Sequence, residues 1–373
     1  MMRITQVLIL FFVLATLTNC KKAKNDVVYN KKYIEEIKQV RKEFSFLLGR
    51  NFIPGAQIAI SKNGELIYSE AMGWASKDLE VAAKRDTKFR IGSLSELYTA
   101  LIYLKMVEEG KLIPDSAVQH YLPDFPKKKM PVKLEHLLNH SSGIRELTRA
   151  EQEWTGINFS IKRGLEKFMD DPLMAPPGAY QQESRFNYNL LGAILENASD
   201  KKYHELLEFY VTDTLKLNNT CPDNPFSTIK GRTNFYDHNM IAQVVNAVTM
   251  DMRWRLPSDG LLSTAEDLVK LGNVFLSSDY LNERTRENLF EPVSLSSQGP
   301  SLLANGWIII TDSSGKKVYG REGAVTGGSS SMLIYPDEEL VVVVTTNLCQ
   351  ENSSIPIFKL ARFFLPEAEQ EQD

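Results

Sequence analysis

The sequence predicts a mixed α/β (α+β) fold: one antiparallel sheet built from both ends of the chain, flanked by helices, with an all-helical lobe inserted between. Two observations predict it. Strand-like segments lie near both termini, and helical periodicity fills the middle. A sheet assembled from the two ends is the economical way to bury both kinds of element. Bulk composition agrees: 373 residues, 43% hydrophobic and 24% charged, are ordinary for a globular protein and enough for a large core.

The elements follow in chain order. Residues 1–6 carry Arg3, and an apolar run follows over 7–17. That run is short for a bilayer span and fits the core of an export signal. It ends in Leu17-Thr18-Asn19-Cys20, which resembles a bacterial lipobox with Cys20 as the lipidated residue; Asn19 departs from the small residue common there. The expectation is a signal peptide over 1–19, a polar tether over 20–30 and a lipid anchor in the cell envelope, facing the periplasm or the exterior. A plain secreted protein, or an uncleaved anchor, is the alternative. Removing Cys20 leaves Cys221 and Cys349, whose separation does not say whether they meet.

Ile34, Ile37, Val40, Phe44 and Leu47 recur at helical spacing, which predicts an amphipathic helix over 31–48. Residues 57–61 and 65–72 predict a hairpin turning at Asn63-Gly64. Helical patterns run from 96 to about 288, interrupted by Pro123, Pro126, Pro131, Pro172 and Pro176-Pro177. Strands return at 307–310, 330–335 and 340–346, and the valine run 341–344 suits a strand covered on both faces. An apolar helical tail spans 355–365, and an acidic tail follows over 367–373. The folded domain is therefore expected over 31–366, with a sheet lobe at about 31–92 and 300–366 and a helical lobe at about 93–299.

Charge excludes one class of partner. The net charge is −4, and no basic stripe of the kind that binds nucleic acid is present. Lys127, Lys128 and Lys129 sit between Pro126 and Pro131 and read as a solvated loop. His136 and His140 are four apart, a metal-ligand spacing, but no acid joins them in a zincin pattern, so neither metal nor cofactor is expected. Gly327-Gly328 before Ser329 lacks the lysine of a phosphate loop. Trp74, Trp154 and Trp307 are expected as core or cleft walls.

Several segments carry a family likeness. Phe89-Arg90-Ile91-Gly92-Ser93-Leu94-Ser95-Glu96 opens a helix, His136-Leu137-Leu138-Asn139-His140-Ser141-Ser142-Gly143 follows, and Ser258-Asp259-Gly260-Leu261-Leu262-Ser263-Thr264-Ala265 comes later. In this order they resemble the serine β-lactamase/penicillin-binding family: class C β-lactamases, D-alanyl-D-alanine carboxypeptidases and related esterases. The likeness covers about residues 34–365 and implies the β-lactamase/transpeptidase-like form of the fold predicted above.

The resemblance implies a serine nucleophile at a helix start, a lysine one turn later, a tyrosine, and a lysine or histidine on a cleft strand. Ser93 stands at the nucleophile position, but Glu96 takes the lysine position. Pro177-Gly178 and Tyr188-Asn189-Leu190-Leu191-Gly192 frame the second motif, where Glu183-Ser184-Arg185 replaces Tyr-Ser-Asn. A slipped register would recruit Tyr180 instead. The third motif aligns with Arg321-Glu322-Gly323; Arg321 stays protonated and cannot accept a proton, and Gly323 is expected to let a ligand approach the strand.

The resemblance thus implies a catalytically degenerate member, a pseudoenzyme in which Ser93 has no base. General base catalysis contributes about 10²- to 10⁴-fold. Glu96, near a helix start and beside arginine, is expected to stay ionised. If the family geometry holds, Glu96, Glu183, Arg185 and Arg321 share one cleft. Their pairing either keeps an abandoned cleft folded or binds a polar or zwitterionic ligand, such as a peptide end or cell-wall fragment, with Ser184, Arg185 and Gly323 as binding residues. An active serine hydrolase of β-lactamase, esterase or D-Ala-D-Ala peptidase type, using Ser93, is the alternative.

Overall fold

The computed structural model describes residues 26–277, 279–349 and 356–366. The expected signal peptide, Cys20 and the acidic tail lie outside the described residues. Among the described residues the main sheet has nine strands, all antiparallel to their neighbours. We label its principal strands β1 (Val28–Tyr29), β2 (Gly55–Lys62), β3 (Glu65–Ser76), β4 (Leu303–Ala304), β5 (Trp307–Thr311), β6 (Lys317–Val325), β7 (Gly328–Tyr335) and β8 (Leu340–Thr346). Their order is β1-β3-β2-β8-β7-β6-β5-β4, with Val81–Ala82 paired to β3. The chain's two ends meet where β8 pairs with β2, Val343 opposite Ala59.

Strand β8 explains its own composition. Val341 and Val343 point into the core shared with the helical lobe, and Val342 and Val344 into the core under the terminal helices. Both faces are covered, so every position from Leu340 to Val344 is apolar. The terminal layer is α1 (Ile34–Arg50), whose Ile37, Val40, Phe44 and Leu47 are buried, with the short C-terminal helix Ile357–Ala361 beside it.

The helical lobe is built round α2 (Ser95–Glu108). It carries apolar residues on nearly every side and is buried all round, as expected of a helix at the centre of a core. The helix α3 (Leu134–Leu138), α4 (Arg185–Ser199) and α5 (Ala265–Ser277) complete the lobe's main supports. Thr99 of α2 donates to the Pro257 carbonyl, and the Leu261 amide donates to Ser95 Oγ. These bonds tie the start of α2 to the 257–264 segment.

Three expectations need correction. The middle is less helical than its pattern suggests: residues 221–263 contain the strands Cys221–Pro222, Tyr236–His238, Val244–Asn246 and Leu261–Ser263. Pro222, Pro225 and Pro257 interrupt helix there, and Leu261–Ser263 finds strand partners in Phe89–Arg90 and Cys221–Pro222. Strand β6 was absent from the periodicity reading because Gly320, Arg321 and Gly323 dilute its apolar alternation; its pairing with β7 and β5 decides its state. Trp74, expected in the core or as a cleft wall, is exposed near the end of β3. No helix among the described residues is long and apolar enough to cross a membrane.

Candidate functional site

A cavity of about 270 Å³ opens above the start of α2, lined by Ser93, Glu96, His140, Glu146, Gln152, Glu183, Ser184 and Arg185. Ser93 lies in the single 3-10 turn Gly92–Leu94 that leads directly into α2. Its side chain is buried but makes no hydrogen bond among the described residues.

Two glycines bring strand β6 against that turn. A Cβ on Gly323 would sit 2.3 Å from the Ile91 carbonyl oxygen and 2.7 Å from the Ser93 nitrogen. Gly92, at φ +51°, would place a Cβ 2.8 Å from the Ala324 nitrogen. Only glycine fits either position without moving backbone. The space above Gly323 is therefore filled by the chain's own residues 91–93. This corrects the expectation that Gly323 admits a ligand to the strand.

Next to Ser93 lies a buried ion pair. Arg321 Nη2 donates to Glu96 Oε2, with both side chains 1% exposed. Arg321 Nη1 also reaches Glu183 Oε1 at 3.4 Å. Burial opposes the charge on Arg321, but Glu96 and then Glu183 outweigh it and raise its pKa. In return, the Arg321 guanidinium holds the Glu183 carboxyl below the ordinary carboxylate range, against burial.

His140 is the residue that sequence reasoning placed in a structural segment and left out of the site. Its Nδ1 accepts from the Ser184 amide at 3.1 Å and sits 3.3 Å from Asn187 Nδ2. An acceptor at Nδ1 leaves the proton on Nε2, which donates to Glu96 Oε2 at 3.2 Å. Both ring nitrogens are engaged. The signal was present in the His140-Ser141-Ser142-Gly143 run itself. That run clamps the loop carrying Glu183: the Gln182 amide donates to the His140 carbonyl, and the Gly178 amide to the Ser141 carbonyl.

The four predicted charges do not form one network. Glu96, Glu183 and Arg321 meet, but Arg185 turns to Glu146, whose carboxylate accepts from its backbone nitrogen at 2.6 Å and from Nη1 at 2.7 Å. Arg185 Nε lies 3.3 Å from buried Asp259, which also binds Arg255. Burial pushes the Glu146 carboxyl above its ordinary value, with Arg185 opposing. Burial opposes charge on Arg185, and Asp259 and Glu146 overcome it. Glu146 and Asp259 had no signal as site residues, because partner choice across separate segments is not written in spacing. Ser184 lines the cavity, yet its hydroxyl is spent on the Arg145 carbonyl at 2.6 Å.

Other candidates fall outside. Tyr180 is half-exposed and does not line the cavity. Tyr188 does lie nearby, its ring 5.1 Å from His140, but its hydroxyl donates to the Leu138 carbonyl. Burial, and then Glu96, push that hydroxyl's pKa well above the ordinary value, so it stays protonated. His136 and His140 do not converge: His136 Nδ1 accepts from the Lys133 amide at 3.2 Å. Among the described residues no cluster of metal-ligating side chains was found.

The Beta-lactamase family model matches residues 37–356. Serine beta-lactamase-like protein LACTB, mitochondrial, of Homo sapiens is 28% identical over 292 residues, covering 60% of this chain and 53% of that protein. Protein flp of Staphylococcus aureus (strain MW2) is 28% identical over 225 residues, covering 59% of this chain and 45% of that one. This chain thus spans about half the length of the curated relatives it matches. Among solved structures, the octameric penicillin-binding protein homologue from Pyrococcus abyssi has a similar backbone: the TM-score is 0.76 at 23% identity, covering 87% of this chain and 77% of that one. The family match takes in strands β2 to β8 and the whole helical lobe between them, and the chain belongs to the Beta-lactamase family.

Proposed function

We propose that this chain is a non-catalytic, lipid-anchored cell-envelope protein that keeps the family cleft as a binding module for a polar ligand, such as a peptide end or a cell-wall fragment. One observation carries the reading: the side chains near Ser93 that could move a proton are either committed or, like Glu183 beside Arg321, held as weak bases. Glu96 is held by Arg321 and His140. His140 uses both ring nitrogens. Tyr188 donates to Leu138, and Arg321 is a fixed cation. A serine hydroxyl without an activating base is a weak nucleophile. Glu96, Glu183 and Arg321 stand where active relatives are expected to carry lysine, tyrosine and a strand base, which supports loss of the proton relay. The anchor rests on Cys20 and the apolar run before it.

One observation favours hydrolysis through Ser93: its hydroxyl has no hydrogen bond among the described residues, lines the cavity and sits in the turn that leads into a buried helix. The two readings separate in one experiment. The protein is incubated with a fluorescent penicillin and with a fluorophosphonate probe, alongside Ser93→Ala. The expected result is no labelling that depends on Ser93 in a chain folded by circular dichroism. Ser93-dependent acylation at an ordinary enzymatic rate overturns the proposal.

A further inference from the structure

We propose that the cavity above Ser93 takes a ligand bearing a primary ammonium group, such as the free amino end of a peptide, in preference to a carboxylate. This rests on reading the cleft as a binding site and names the chemistry it selects. Glu96, Glu146, Glu183 and Asp259 face Arg185, Arg255 and Arg321, four acids to three arginines. The excess sits at the opening. Arg321 is buried behind Glu96 and does not line the cavity, whereas the Glu183 side chain is 53% exposed and does.

The remaining bonding capacity points the same way. Both Glu146 oxygens are occupied by Arg185. Arg185, the cation lining the cavity, is bound by Glu146 and held against Asp259. Among the described residues Glu183 has only the long 3.4 Å contact with Arg321. Ser93, 9% exposed, has a hydroxyl with no hydrogen-bond partner among the described residues and lines the same cavity. A half-free carboxylate and a free hydroxyl suit the three donors of an ammonium group, which has no acceptor to offend either. A carboxylate ligand would meet Glu183, and Arg185, the cation lining the cavity, already faces two carboxylates, Glu146 and Asp259, which leaves it little net attraction to offer.

The test is isothermal titration calorimetry on the full chain with two probes of matched size. Glycylglycinamide carries the amine and no carboxylate; N-acetylglycylglycine carries the carboxylate and no amine. Glycylglycinamide is expected to bind, and Glu183→Gln to weaken it about tenfold, the loss of one charge-assisted hydrogen bond. Glu183→Lys is expected to abolish that binding and admit the acid. Melting curves identify any variant that fails to fold; Glu183→Gln, at a half-exposed position, is the primary comparison. Acid-only binding to the native chain overturns the ammonium preference while leaving a binding module. Binding of neither probe overturns both. An unchanged affinity in folded Glu183→Gln overturns the assignment to Glu183. The Ser93 labelling experiment speaks to catalysis alone, so its outcome is independent of these.

Discussion

Arg321 on strand β6 and Glu96 in the first turn of α2 form an ion pair that joins the sheet to the helical lobe beside Ser93, both side chains almost wholly buried. A buried pair need not add net stability over an apolar replacement, but breaking it leaves a lone charge out of water. Arg321→Met is therefore expected to destabilise the chain by about 3–5 kcal/mol in urea unfolding. Adding Glu96→Gln, which keeps an acceptor for His140 Nε2–H, should recover most of that loss. A double variant as unstable as the sum of its parts would show that the two charges do not act as a pair.

His140 links Glu96 to the loop that carries Glu183. His140→Ala leaves the buried Ser184 amide without its Nδ1 acceptor. The expected cost is about 1–3 kcal/mol, the penalty for one stranded buried donor. Hydrogen exchange should show faster exchange of the Ser184 amide than in the native chain at equal temperature. Unchanged protection there would mean that the ring is not what orders the loop.

Gly323 and Gly92 are needed for the close passage of β6 over the Ser93 turn. Gly323→Ala should cost about 1–3 kcal/mol through overpacking against backbone. Gly92→Ala should cost more, because its left-handed φ adds strain of about 1–2 kcal/mol. Gly49, inside α1 with nothing within 4 Å of an added Cβ, is the control. Gly49→Ala should stabilise by about 0.5–1 kcal/mol. Thermal melts of the three variants check the order.

His136 makes stability depend on pH. Burial first, and Lys133 second, push its pKa from 6.5 down to about 4. The unfolded chain takes up a proton below about 6.5 that the folded chain refuses until about 4. Stability is thus fully present above pH 6.5 and falls as pH drops through this window. His136→Gln should flatten the urea midpoint between pH 6.5 and 4. An equally steep decline in the variant would assign it to other groups.

Parts of this architecture are plain in local sequence. The spacing of Ile37, Val40, Phe44 and Leu47 marks α1, Asn63-Gly64 marks the β2–β3 turn, and the valines of β8 mark a strand covered on both faces. These features depend on periodicity and turn chemistry within a few residues. Strand β6 escaped the same reading, because its glycines and Arg321 are chosen by what lies across from them. So did the short strands between 221 and 263, which exist because Leu261–Ser263 has partners on either side.

Sequence alone determined that a serine stands at 93 with glutamate one turn later, that residues at 183, 185 and 321 are charged, and that the segments bearing them come in the order of one family. Tertiary structure alone decided who pairs with whom. Arg321 took Glu96, Arg185 took Glu146 and Asp259, and His140 bridged Glu96 to the Ser184 amide. The reason is physical: a charge buried out of water takes its partner from whatever the packing of separate segments brings within reach. The distance between those segments along the chain carries no record of that choice.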